Sequence, residues 1–191
     1  MLDFGRVFRG ETTIAALTDG LGLDDLRTMT DESLDLILSI IAGATDADVV
    51  FVPSDPAAHD AIAPPEAQDI GWTLGHIVVH ATATSEEGAA LAVTLARGVE
   101  VTGRSRYETP WEEVTTIAQV EQRLAESRRM RHALLGGWPD APHLDNTDTP
   151  IPTFGPMNAV ARYALALGHE LGHLDQLRDV VRQAKAARGR D

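Results

Sequence analysis

Apolar residues recur along this chain at three- and four-residue spacing in four stretches, separated by polar segments rich in proline and glycine. Leu34, Ile37, Leu38 and Ile41 form the first stripe of an amphipathic helix. Thr30-Asp31-Glu32-Ser33 supplies cap chemistry and acids ahead of it, so the pattern predicts a helix starting near Thr30 and ending at Gly43 to Thr45. A second helix is predicted from Trp72 to Ala96, with Leu74, Ile77, Val78, Ala81, Leu91 and Leu95 turned inward and Gly98 as its stop. A third runs from Ile117 to Leu135 on a stripe of Val120, Leu124, Ser127, Met130 or Arg131, and Leu134. Arg128, Arg129 and Arg131 read as a solvated face; binding of an acidic substrate is the less favoured reading. The last helix is expected from Met157 to Ala187, straight throughout, because no proline and no glycine after Gly172 interrupts Leu171 to Lys185.

The segments between these helices lack the alternating β-branched runs that strands require. Residues 1–30 form a lead with a short helix expected around Thr12 to Thr18. Asp46 to Gly71 is a long connection with four prolines, in which Val49 to Val52 reads as packed loop; it either covers a site or merely wraps the bundle end. Glu100 to Trp111 is a linker anchored by Tyr107 and Trp111. Residues 139–156 form a polar loop whose His143, Asp145 and Asp148 suit turns better than a metal. Four main helices without a sheet give an all-α four-helix bundle with long connecting loops, one domain over 1–191.

Charge narrows the partners. A net charge of −13 and a pI near 4.8 argue against nucleic acid, which needs a basic face, and against anionic membrane surfaces. No cysteine is present, which excludes disulfides and a thiol nucleophile from the chain itself. The first ten residues have no apolar core of a signal peptide, and no stretch is long and apolar enough to span a bilayer, so a cytoplasmic location is expected. A homodimer is the expected assembly.

The candidate chemistry lies in His169-Glu170-Leu171-Gly172-His173. Residues i and i+4 of a helix differ by about 40° and roughly 6 Å of rise, so both rings leave one face and can share one metal ion. The string also reads H-E-x-x-H, the zinc-protease signature, in which Glu170 would be the general base. That chemistry needs a third ligand downstream. Asp179 would stand roughly 15 Å along a straight helix from His169, and no Glu follows Glu170. The protease reading is therefore the least favoured, and Glu170 is expected beside the bundle seam, paired with an Arg or with solvent. Upstream, His76 and His80 form a second i, i+4 pair, and one of them can complete a three-His site with an open position.

Trp72-Thr73 at a helix start, a His eight residues after that Trp, and His169-x-x-x-His173-x-x-Gln176 on the last helix resemble the DinB-like metal-binding four-helix superfamily. That superfamily includes the bacillithiol transferases and mycothiol-dependent isomerases. Thr109-Pro110-Trp111-Glu112-Glu113 before a charged helix is similar to its third helix, and the resemblance spans roughly residues 30 to 184. It implies His80, His169 and His173 as ligands of one divalent metal (Zn, Ni, Fe or Cu by imidazole preference), with Gln176 and His76 as supporting neighbours. It implies a metal-dependent enzyme that adds a low-molecular-weight thiol to a small electrophile, with hydrolysis of a small molecule as a variant. The rival is a non-catalytic metal-binding or stress-response protein.

Overall fold

The computed structural model describes residues 2–56, 58, 68–104 and 106–189. Two short helices, α1 (Gly5–Phe8) and α2 (Ile14–Leu17), precede the first long one, α3 (Leu23–Ile41). The short helix expected around Thr12 to Thr18 is present, capped by the Thr13 hydroxyl, which accepts the Ala16 N–H. Helix α3 begins earlier than the sequence suggests. Its true cap is at Gly22, where the Asp25 carboxylate accepts the Gly22 N–H. Thr30 lies in mid-helix instead, fully buried, donating its hydroxyl to the Leu26 carbonyl and meeting the Tyr163 hydroxyl at 2.6 Å. A threonine can cap a helix or fold its hydroxyl back onto the preceding turn; sequence alone does not separate the two.

Of the Val49 to Val52 run, Val49 is buried as the last residue of a short helix, α4 (Asp46–Val49), while residues 50–52 are loop with Val50 and Val52 facing solvent rather than packed. The middle of the Asp46 to Gly71 connection, read as covering a site or wrapping the bundle end, lies outside the described residues at 57 and 59–67. Helix α5 (Leu74–Ala96) is capped by Thr73, and α6 (Ile117–Leu135), over the bounds its pattern predicted, begins in a reciprocal Thr116/Gln119 cap.

The last helix is not straight. It is split into α7 (Ala159–Gly172) and α8 (Leu174–Arg188), with His173 at φ −85°, ψ −5° between them. The His173 N–H bonds to the Glu170 carbonyl, one residue short of the α-helical partner, and the ladder restarts with Leu177 N–H to the His173 carbonyl. Gly172, exposed and a poor helix former, stands where the ladder tightens.

Side-chain pairings give the topology. Ser85 meets Ala166 and His80 meets His169, so α5 and α7 are antiparallel. Thr30–Tyr163 and Ser33–Glu170 make α3 parallel to α7, while Arg128 bridging Asp31 and Asp35 makes α6 antiparallel to α3. The bundle therefore runs up, down, down, up. Its core holds Leu34, Ile37, Leu74, Ile77, Leu124 and Leu177 at one end and Leu26, Ala92, Leu95, Tyr163 and Leu167 at the other. Helices α5 and α7 approach most closely at Gly88, where a Cβ would lie 2.3 Å from that of Ala166. Only glycine permits this approach, which brings the histidines of the two helices within reach of each other. Among the described residues no strand forms; Asp148 and Met157 make a single antiparallel bridge. No helix among them is long and apolar enough to cross a membrane.

Candidate metal centre

His80 from α5, His169 from α7 and His173 from the α7–α8 junction converge, offering nitrogen atoms all within 4.8 Å of one another. The Nε2 of His169 lies 3.4 Å from the Nε2 of His80 and 3.4 Å from that of His173. Nitrogens at about 2.05 Å around a tetrahedral ion stand roughly 3.3–3.4 Å apart, so these separations match the edges of such a site. The donor set thus fits a divalent cation with at least one position left for another ligand.

The far sides of the rings show how they are held. His173 Nδ1 is 2.8 Å from the Gln176 side-chain oxygen, an acceptor, so Nδ1 carries the proton and Nε2 presents a bare lone pair to the cluster. His80 Nδ1 lies 3.5 Å from Glu108 Oε1 and 3.2 Å from Arg106 Nη2. The two hydrogens of that Nη2 are accounted for by Glu108 Oε2 and the His80 carbonyl, which leaves Nδ1 to donate to Glu108. Burial works against the Glu108 charge. Hydrogen bonds from His80 and the Arg106 guanidinium nevertheless hold its carboxyl down at about 2. His169 Nδ1 is buried with no partner among the described residues. Burial, then the neighbouring His173 and His80, push the His169 ring down to about 4, and burial also lowers His173. Neutral rings with converging lone pairs are what a metal requires and what three free imidazoles would avoid.

His76, the other member of its pair, does not reach the cluster. It is stacked between Trp72 (centroids 4.3 Å apart) and Trp111 (4.9 Å), and Trp72 in turn packs against His80 and His173. Of the two residues read as anchors of the 100–111 linker, Trp111 holds; Tyr107 is 75% exposed and anchors nothing. Sequence reasoning missed Arg106 and Glu108 in that linker. They sit 26 and 28 positions from His80, and no spacing rule connects a loop carboxylate to a helix histidine. Of His143, Asp145 and Asp148, read as turn residues, Asp145 lies in a turn, whereas Asp148 bridges to Met157 and pairs with Arg162.

Glu170 is placed differently from the expected bundle seam. It is fully buried in the core, gripped at both oxygens by Arg131 and hydrogen-bonded by the Ser33 and Ser85 hydroxyls. The Arg pairing was expected; the burial away from solvent was not. Arg131 likewise belongs to the core rather than to a solvated face, and of the pair Met130 or Arg131 it is the one that turns inward. Arg129 is the exposed member of that cluster, and Arg128 spans Asp31 and Asp35. With its oxygens occupied, Glu170 cannot act as a general base. Asp179, the other element of the protease reading, pairs with Arg182 and Gln183 on α8 and reaches no histidine.

Of the three histidines, His169 lines a cavity, a cleft of about 560 Å³ between α5 and α7, roofed by the 148–154 loop and Phe8 of α1.

A family model described as the DinB superfamily matches residues 29–177. The chain belongs to the DinB superfamily. No curated protein and no solved structure matches it. Membership agrees with the all-helical architecture, and the three-His cluster is compatible with a metal-binding site.

Proposed function

We propose that this DinB-superfamily protein is a metal-dependent enzyme acting on a small molecule, transferring a low-molecular-weight thiol or hydrolysing its substrate. The observation that carries the reading is the convergence of three Nε2 atoms, from His80, His169 and His173, with His169 on the edge of a cleft. A sealed cluster would suit a purely structural metal; a cluster bordering a cavity of small-molecule size suits catalysis. A divalent cation held there would lower the pKa of a coordinating thiol or water and so supply a nucleophile at neutral pH. The chain's own contribution is orientation: Gln176 and Glu108 fix the tautomers of His173 and His80, and the Trp72–His76–Trp111 stack backs the rings. Because the chain has no cysteine, any thiol must come from a cosubstrate.

The test is elemental analysis of the purified protein and of His80→Ala, His169→Ala, His173→Ala and His76→Ala. The first three should lose stoichiometric metal and the fourth should keep it. Equal metal in all four ends the proposal. Thiol consumption with bacillithiol, mycothiol or glutathione against a panel of electrophiles, with and without metal, then separates the enzyme from a non-catalytic metal-binding protein.

A further inference from the structure

The cleft beside His169 has a polar end that the metal centre does not use. Helix α7 carries His169, then Ala166 and Leu165, then Arg162 along one face, all lining the cavity. Seven residues of helix span about 10.5 Å, so Arg162 stands two turns from His169. On the opposite wall α5 contributes Thr84, Glu87 and Leu91. Between the two ends the lining is apolar, with Leu91, Val101, Ile151, Phe154 and Leu165, and Phe8 meets Phe154 edge-on at 5.8 Å on the outer side.

The charges of the cleft are not equally engaged. Glu87, 5% exposed, is closed off by a two-pronged grip from Arg104 at 2.7 and 3.0 Å. Arg162, with its side chain only 14% exposed, has a single ion pair among the described residues, to Asp148, and it is long at 3.4 Å. Its buried Nε has no hydrogen-bond partner among them, and neither does Asp148 Oδ1. A guanidinium keeps its charge wherever it is placed, and a buried charge needs close, hydrogen-bonded compensation. Burial raises the Asp148 carboxyl against the pull of Arg162, and the pair is held by no contact shorter than 3.4 Å. Glu87 also feels the Arg162 charge but is itself gripped by Arg104, so Arg162 is the least closely paired charge among the described residues of the cleft.

We propose that the cleft binds an organic carboxylate with an apolar body, its carboxylate held by Arg162 and its far end lying against His169. The planar guanidinium fork matches a carboxylate and rewards it over a neutral group of the same shape. The apolar walls hold the body, and the two-turn spacing sets the length of ligand that reaches both ends. The inference rests on the metal-site reading only for the direction in which the ligand lies.

Calorimetric titration of the full-length protein with straight-chain carboxylates from butanoate to dodecanoate, and with the primary amides and amines of the same lengths, tests this directly. The acids should bind about tenfold or more tightly than the matched amides and amines, with affinity rising along the series until the cleft is spanned. Arg162→Gln should bring acids and amides to equal affinity while leaving metal content unchanged. Amides binding as well as acids in the wild type, amines binding best, or no binding by any of the three would overturn the proposal without a variant. Carboxylate preference that survives Arg162→Gln but vanishes in His173→Ala would mean that the acid coordinates the metal, overturning the proposal while the metal reading stands. Carboxylate preference that depends on Arg162 in metal-free protein would support the proposal even if the metal reading failed.

Discussion

His169 and Glu170 are adjacent in the chain and occupy opposite kinds of environment. Glu170 is wholly buried, and both its oxygens are taken by Arg131, Ser33 and Ser85. His169 borders a cleft, its Nδ1 has no partner among the described residues, and its Nε2 faces two other imidazole nitrogens. About 100° of helical rotation separates a closed polar network from an open one. A polar cluster whose members satisfy one another holds a fold together, whereas three imidazoles drawn to one point without such mutual bonding have the geometry of a ligand set. The H-E-x-x-H string would assign both residues to one catalytic unit; the structure assigns them to two different jobs.

The sharpest way to break that comparison is at Glu170. Replacing it with Gln leaves the fully buried Arg131 charge without its counter-ion, and the loss should reach about 3–5 kcal/mol in denaturant unfolding. The folded fraction should keep its full metal content. Replacing Arg131 and Glu170 together by Met should recover most of the stability. If folded Glu170→Gln lost its metal, the two networks would be one and the comparison would collapse.

Gly88→Ala probes what the two regions share. The new methyl would collide with Ala166 and force α5 away from α7, costing about 1–3 kcal/mol. Since His80 and His169 lie on those two helices, metal affinity measured by competition with a chelator should fall as well. A loss of stability with unchanged affinity would show that the His cluster tolerates helix separation.

Gln176→Ala addresses the open network alone. Without the acceptor at 2.8 Å, His173 loses the contact that fixes its tautomer, and metal affinity should fall about 10–100-fold while metal-free stability changes by less than about 0.5 kcal/mol. An equal loss in both measurements would make Gln176 a packing residue.

The smallest effect concerns Glu108 and acid. Its carboxyl is held at about 2 in the folded protein, below the ordinary value of 4.5. The unfolded chain therefore takes up a proton first as pH falls, so the stability this carboxylate contributes is present above about 4.5 and is lost toward 2. Wild type and Glu108→Gln should differ in thermal midpoint near neutral pH and converge near pH 2. A constant difference across that range would show that Glu108 acts through packing rather than charge.

The helices were legible because each depends on neighbours within a few residues. The bounds of α6, the stripe of α5 and the i, i+4 spacing of His169 and His173 are local patterns, and the structure reproduces them. Misreadings arose where one residue had two local uses. Thr30 caps nothing because Gly22 and Asp25 begin the helix a turn and more earlier. The break at His173 was hidden because a lone Gly172 is compatible with a continuous helix as well as an interrupted one.

The sequence by itself determined that this is an all-helical chain carrying paired histidines, and its order of motifs pointed to the family. Helix spacing left His76 and His80 equivalent and the family resemblance favoured His80; the tertiary structure supplies the physical reason, because Trp72 and Trp111 enclose His76. Only the tertiary structure made Arg131 a core residue, since a guanidinium can be buried just where a carboxylate from another helix meets it. Arg106, Glu108 and Arg162 acquire their roles in the same way. A charged side chain's environment is set by what lies across the bundle, and periodicity along the chain carries no information about that distance.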